Sequence, residues 1–187
     1  RQGKKRRYPT DAEFREALET RDVYDMRTCF YLLDRLENFS KERIDTTLFT
    51  IEHVMPQNED LRPEWRTMLG GDWQLVQETW LHRLGNLTLT GYNSTYSDRP
   101  FAEKKTIAGG FCDSPLRLNK FIREQSAWTA TTIEQRGKQL AEKALAVWRP
   151  LVVDPLAVKQ RELEEHKAMA ANYKIENLEA DEAAKRL

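Results

Sequence analysis

Two short segments with β-strand character lie in a sequence whose other periodicities are helical. Residues 47–51 are β-branched and aromatic, and residues 86–90 alternate between apolar and polar side chains before Gly91. Around these segments, apolar residues recur at three- and four-residue steps, as they do along one face of a helix. The sequence therefore predicts a mainly α-helical domain whose helices pack around one two-stranded hairpin.

The helical segments are predicted from capping signals, apolar spacing and breakers. Thr10 with Glu13 is a capping box that starts a helix through about Leu18. Thr131 with Glu134 starts a longer helix near the C-terminal end of the domain. The other helices are expected over residues 23–36, 63–69, 73–82, from Pro100 to Gly109, over 116–123, and in the charged stretch from Leu156 onward; the long helix buries Ile133, Leu140 and Ala144.

Composition excludes several classes of protein. The chain has 187 residues, of which 40% are hydrophobic, and five Trp, six Tyr and seven Phe can build a core. No apolar run approaches the roughly 18 residues of a membrane span. Two cysteines, Cys29 and Cys112, are too few for a zinc ribbon or a disulfide framework, so no zinc is expected. A cytoplasmic globular domain is the class that remains.

Charge is segregated although the net charge is zero. Residues 1–7 carry +5 and predict a basic linker or a remnant of cloning, which suggests that the chain is part of a longer protein. Residues 8–98 carry −8 and residues 99–149 carry +5, a pattern that fits a phosphate-binding face beside a metal site, or simply two solvated faces. The predicted organisation is one domain over residues 8–150, with its strand and helix core at about 47–108, followed by a charged helical tail over 151–187.

The Glu52-His53 pair is the first candidate for chemistry. It ends the first predicted strand, and Pro56 directs the chain out of regular structure just beyond it. A general base and a carboxylate metal ligand would then lie at a strand-to-loop turn. In a regular strand the two side chains point to opposite faces, so a shared site requires a bulge. The alternative is that His53 caps the strand and Glu52 is exposed.

A second strand and a helix extend this pair into an ordered set. Asn86 and Asn93 lie around the second strand, and Lys104 lies in the helix that follows. Carboxylate and amide oxygens suit Mg²⁺, which would polarise a phosphodiester while a histidine deprotonates the attacking water. A nearby lysine would balance developing negative charge.

Several strings of this sequence match one family in order and spacing. They are Ile51–Gln57 (IEHVMPQ), Trp80–Leu89 (WLHRLGNLTL), Asn93 with Phe101–Lys104 (FAEK), Tyr31–Asn38 (YLLDRLEN), Ser114–Asn119 (SPLRLN), Trp128 and Trp148. Over roughly residues 8–150, the sequence resembles the C-terminal nuclease domain of GmrSD-type restriction endonucleases, which are HNH, or His-Me finger, nucleases. The resemblance implies a small ββα-metal core.

The resemblance also implies site roles. His53 would be the general base, Glu52 and Asn93 metal ligands, Asn86 the residue that orients the histidine loop, and Lys104 a phosphate-side cation. The implied cofactor is a divalent metal ion, Mg²⁺ or Mn²⁺. Asp98 departs from the family pattern, which often has Asn there, so it joins the metal shell or only caps the next helix.

The leading hypothesis is therefore a metal-dependent endonuclease domain that nicks or cleaves DNA for a bacterial restriction system. The expected partners are DNA and an N-terminal sensor or nucleotidase domain of the full-length protein. The expected DNA contacts are Lys104, Lys105, Arg117, Lys120 and Arg123. The alternatives are a non-catalytic DNA-binding finger and a helical interaction module that docks through residues 156–187.

Overall fold

The computed structural model describes residues 9–149, Leu156, residues 160–161 and residues 163–173. The chain divides into two compact units, residues 1–149 and 150–187. The helices of the first unit are α1 (Asp11–Thr20), α2 (Cys29–Glu37), α3 (Pro63–Leu69), α4 (Trp73–Trp80), α5 (Asn93–Tyr96), α6 (Phe101–Thr106), α7 (Lys120–Glu124) and α8 (Ala130–Val147), with 3-10 turns at Leu84–Asn86 and Arg117–Asn119.

The two strands form one antiparallel sheet. Strand β1 (Thr50–His53) pairs with β2 (Leu87–Thr90) in a register that sets Thr50 opposite Thr90 and His53 opposite Leu87. This confirms a mostly helical domain with a single small sheet in the part of the chain that the structure describes. Strand β1 begins three residues later than predicted, because the Phe49 N–H donates to Thr46 O (2.9 Å) and closes a turn there.

The core of the first unit has two apolar clusters. One joins α1, α2, β2 and α8 through residues such as Leu33, Leu36 and Leu89, and the other is rich in aromatic side chains that include Trp65 and Trp128. The turn at Gly85 approaches α8 so closely that a Cβ atom there would lie 2.0 Å from Ile133 O. A glycine is therefore required where the turn before β2 contacts α8.

Local signals placed most helices correctly, but two starts were wrong. The Thr10–Glu13 capping box is present, and α3 has the predicted bounds. Helix α2 begins at Cys29 and not at Val23, because the backbone of Val23 bonds to His82 O instead of continuing a helix. Helix α8 is capped by Thr129 with Thr132, and Glu134 pairs with Lys138.

Two other segments differ from the predicted elements. Residues 116–123 form a 3-10 turn followed by α7, and the short α5 lies where only a turn was expected. The described tail residues, Leu156 and those between 160 and 173, are helical and exposed, and residues 1–7 lie outside the described part. None of the helices described here has the length and hydropathy needed to cross a membrane.

Candidate active site around His53

The loop after His53 is held by a buried amide. Asn86 is fully buried, and its Oδ1 accepts hydrogen bonds from the backbone N–H of Met55 (2.8 Å) and from Trp128 Nε1 (3.0 Å). Its Nδ2 donates to Met55 O (3.1 Å) and Leu81 O (2.9 Å). Each polar atom of the amide has two partners, so Asn86 fixes the backbone just beyond the predicted base.

His53 lies in a cluster with a second histidine and a tyrosine. Its Nε2 is 3.2 Å from His82 Nδ1, and the Tyr24 ring lies edge-on at 4.4 Å between ring centroids. Only 4% of His53 is exposed, whereas His82 is half-buried. Burial, with His82 and then Lys104 adding to it, lowers the pKa of His53 to about 3. The imidazole is therefore neutral at neutral pH, so one of its ring nitrogens carries a lone pair and the other a proton.

Glu52 faces a different partner from that of His53. Lys104 Nζ donates to Glu52 Oε1 (2.6 Å), His53 O (3.0 Å) and Val54 O (3.1 Å), and Lys104 is fully buried. The β1 register runs regularly through His53, so the two side chains project from opposite faces of the strand and the bulge needed for a shared site does not form.

The pKa values of this buried pair are governed by opposing effects. Burial raises the pKa of Glu52 to about 7, and the adjacent ammonium of Lys104 opposes the rise. Burial lowers the pKa of Lys104, and Glu52 opposes that change. All three N–H donors of the ammonium are used inside the protein, so Lys104 offers none to a phosphate. Its predicted contact with DNA is thus replaced by an internal role, which is to tie α6 to the end of β1.

Asn93 and Asp98 take different positions at the margin of the sheet. Asn93 begins α5, is exposed, and donates from Nδ2 to Thr50 Oγ1 (3.2 Å) and Ile51 O (3.0 Å). Its Oδ1 has no hydrogen-bond donor among the described residues. Asp98 accepts two hydrogen bonds from the guanidinium of Arg62 (3.0 and 2.9 Å), which lowers the Asp98 pKa, and it does not cap α6.

The predicted metal ligands do not form a cation site in this arrangement. Within residues 9–149 and the described part of the tail, no three His, Cys, Asp or Glu side chains are grouped as a metal would require. Glu52 is paired with the buried ammonium of Lys104, whose positive charge would repel a metal ion bound nearby. Of the two predicted ligands, Asn93 presents an exposed oxygen without a donor among the described residues, whereas Glu52 is buried and paired with Lys104.

The predicted DNA contacts differ in how free they are. Lys120 and Arg123 on α7 are exposed, although Arg123 Nη1 is 3.4 Å from Ser114 O. Lys105 is half-buried, and its ammonium donates a hydrogen bond to Gln125 O and lies over the Phe101 ring. Arg117 lies 3.6 Å from carboxylate oxygens of Glu37 and of Glu42. Lys120 and Arg123 are therefore the members of this set best placed to meet a phosphate.

Sequence reasoning missed three residues that build this region. Tyr24 and His82 carry no local signal, because Tyr24 lies 29 residues before His53 and His82 lies 29 residues after it. Arg136 is fully buried and donates to Gly85 O (2.7 Å), Leu87 O (2.8 Å) and Leu118 O (3.2 Å); burial lowers its pKa to about 9. Its place on the apolar face of α8, between Ile133 and Leu140, is a signal that could have identified it.

Comparison with known proteins gives one family. The family model described as GmrSD restriction endonucleases, C-terminal domain, matches residues 8–143. That range holds both strands, α6 and every residue of the cluster around His53. No curated protein matches the chain.

Proposed function

Because this chain belongs to the family of GmrSD restriction endonuclease C-terminal domains, we propose that it is the DNA-cleaving effector part of a restriction system. The proposed reaction is hydrolysis of a DNA phosphodiester in an HNH-type ββα arrangement made by β1, β2 and α6. One observation carries the proposal: a neutral histidine ends β1, and the backbone beyond it is fastened on both sides by Asn86.

The proposed chemistry uses His53 as a general base. Its Nε2 is engaged by His82, and Nδ1 has no hydrogen-bond partner in the part of the chain described, so Nδ1 is the atom that takes the proton. A water loses this proton to Nδ1 as its oxygen bonds to phosphorus, and the bond from phosphorus to the leaving deoxyribose oxygen breaks. The leaving oxygen then takes a proton from solvent.

The neighbouring residues support this base indirectly. Asn86 positions the loop, and the Glu52–Lys104 pair holds the carbonyls of His53 and Val54 in place. Lys120 and Arg123 are the proposed phosphate contacts, which are independent of sequence and sensitive to salt. Specificity would come from the proposed N-terminal sensor or nucleotidase domain of the full-length protein.

Dependence on Mg²⁺ or Mn²⁺ is proposed from family membership. The side chains around His53 do not assemble a ligand set, because Glu52 is paired with Lys104. Asn93 is the ligand that we propose, since its Oδ1 is unused and it lies on an exposed helix start. Removal of divalent ions with EDTA tests this dependence.

A second candidate is a DNA-binding domain without turnover. It is favoured by the 4% exposure of His53, which leaves little of the imidazole open to a water. An assay on supercoiled plasmid separates the two functions. The proposal predicts nicked or linear product with Mg²⁺ or Mn²⁺ and none with EDTA. Retention of DNA on a gel shift without any strand scission under these conditions would support the second candidate and overturn the first.

A further inference from the structure

The backbone around His82 is fixed by a neighbouring segment. Asp22 and Arg83 form an isolated antiparallel bridge, and the N–H of Val23 donates to His82 O at 2.9 Å. Arg83 Nε lies 3.4 Å from Asp22 Oδ1 across the same bridge. The backbone just before α2 is therefore hydrogen-bonded to the backbone just after α4, at His82 and Arg83.

Tyr24 then fixes the ring of His82. The two rings are stacked, with centroids 5.2 Å apart and planes 10° from parallel. The same tyrosine meets the His53 ring at a centroid distance of 4.4 Å and an angle of 67°. Contacts of this kind limit rotation of both imidazoles. They hold His82 Nδ1 at 3.2 Å from His53 Nε2.

We propose that His82 is a positioning residue, whose Nδ1 accepts a hydrogen bond from His53 Nε2–H and so keeps the lone pair of His53 on Nδ1. This inference rests on the proposed function, in which His53 is the base. It assigns to His82 the part that a carboxylate or carbonyl takes beside many catalytic histidines, which is to select the tautomer and hold the ring.

The direction of this hydrogen bond follows from the way two imidazoles share one N–H. One ring must donate and the other accept. The Nε2–H form is the tautomer that free neutral histidine favours in water, and when both rings adopt it, His82 Nδ1 is the acceptor and His53 Nδ1 is free. The reverse arrangement would put a proton on His53 Nδ1 and leave no lone pair for water. After His53 takes a proton, its Nε2–H bond to His82 becomes charge-assisted and stronger.

Two substitutions separate the hydrogen bond from the packing. His82→Asn keeps an acceptor oxygen near the place of Nδ1, whereas His82→Phe keeps a ring on Tyr24 and removes the acceptor. We expect His82→Phe to lower kcat for plasmid cleavage by about 10–100-fold with little change in KM, the range seen for residues that orient metal-bound histidines. We expect His82→Asn to recover most of that loss. The control is His166→Phe, an exposed histidine in the second unit.

Nitrogen-15 NMR of the His53 ring gives a readout that does not need cleavage. The expected wild-type spectrum shows the Nε2–H tautomer, and His82→Phe should shift it toward a mixture. If His82→Phe leaves both the rate and the tautomer unchanged, the proposal is overturned. It is also overturned if His82→Asn is as slow as His82→Phe while retaining the tautomer. Should the wild-type protein fail to cut DNA, the proposed function fails, and the spectrum still decides whether His82 sets the tautomer.

Discussion

At the scale of single residues, the region around His53 depends on buried polar groups that donate hydrogen bonds to the backbone. Lys104, Asn86 and Arg136 are almost completely removed from solvent, and each bonds to backbone carbonyls of β1, β2 or their flanking turns. A buried polar group without a partner is strongly destabilising. Any backbone geometry that broke these hydrogen bonds would therefore be disfavoured, so each side chain stabilises the one that is observed. The backbone at His53, the proposed base, is thus held by the side chains of other buried polar residues.

The Glu52–Lys104 pair gives the first prediction on stability. Lys104→Met would leave Glu52 and two backbone carbonyls without their donor in a buried site, and breaking such a pair costs about 3–5 kcal/mol. Urea denaturation followed by circular dichroism measures this loss. The matched control is Lys138→Met. Its ammonium pairs with Glu134 on the exposed side of α8, so its removal should leave the urea midpoint almost unchanged. Equal, small losses in both variants would contradict an internal role for Lys104.

His53 gives a prediction on pH. Its pKa falls from 6.5 to about 3 on folding, so between these values the unfolded chain binds more protons than the folded one. The stability that the neutral ring contributes is therefore complete above about pH 6.5 and is lost as the pH falls toward 3.

Comparison with His53→Gln isolates this contribution, since Glu52 and the other carboxyl groups titrate in both proteins. Urea midpoints measured from pH 7 to pH 4 should fall more steeply for the wild type than for the variant. Parallel curves would show that His53 is not buried in its neutral form.

At the scale of elements, the turn before β2 is fixed by its contact with α8. Asn86 bonds to the loop after β1, while Arg136 donates to carbonyls on both sides of the same turn. Gly85 is the point of closest approach. The position of His53 relative to the sheet therefore depends on a helix that begins more than 75 residues away in sequence.

Gly85→Ala tests this contact. The added Cβ would lie 2.0 Å from Ile133 O, a backbone atom that cannot move without shifting α8. We expect a loss of about 1–3 kcal/mol, the usual range for overpacking, seen as a lower thermal midpoint. Gly71→Ala is the control, because a Cβ there meets nothing within 4 Å. A Gly85→Ala protein as stable as this control would refute the close approach.

Elements were predictable from sequence where their signals are local. Thr10 with Glu13 marks the start of α1, and Pro63 at the first position of α3 marks that helix. The start of β1 was misplaced because a local turn, closed by the Phe49 N–H on Thr46 O, delays the strand. The start of α2 was misplaced because a long-range bond decides it, from the Val23 N–H to His82 O. No propensity records such pairings.

At the scale of the whole molecule, the sequence predicted several residues that belong to the candidate site, but it did not predict which of them contact one another. The family pattern selected His53, Asn86 and Lys104, and all three lie near one end of β1. That Lys104 would face Glu52 and not a phosphate depends on burial, which residue type alone does not reveal. His82, which follows α4, and Tyr24, which precedes α2, reach His53 only through contacts between segments far apart in sequence.

The central claim is that His53 is the base of a phosphodiester hydrolase, and its most direct test is plasmid cleavage by His53→Ala beside His166→Ala. Urea denaturation and a gel shift should first show that both variants fold and bind DNA. With Mg²⁺ or Mn²⁺, the account predicts that His53→Ala loses about 10²–10⁴-fold in rate, the usual contribution of a general base, while His166→Ala cuts like the wild type. Cleavage by folded His53→Ala at the wild-type rate would contradict the account.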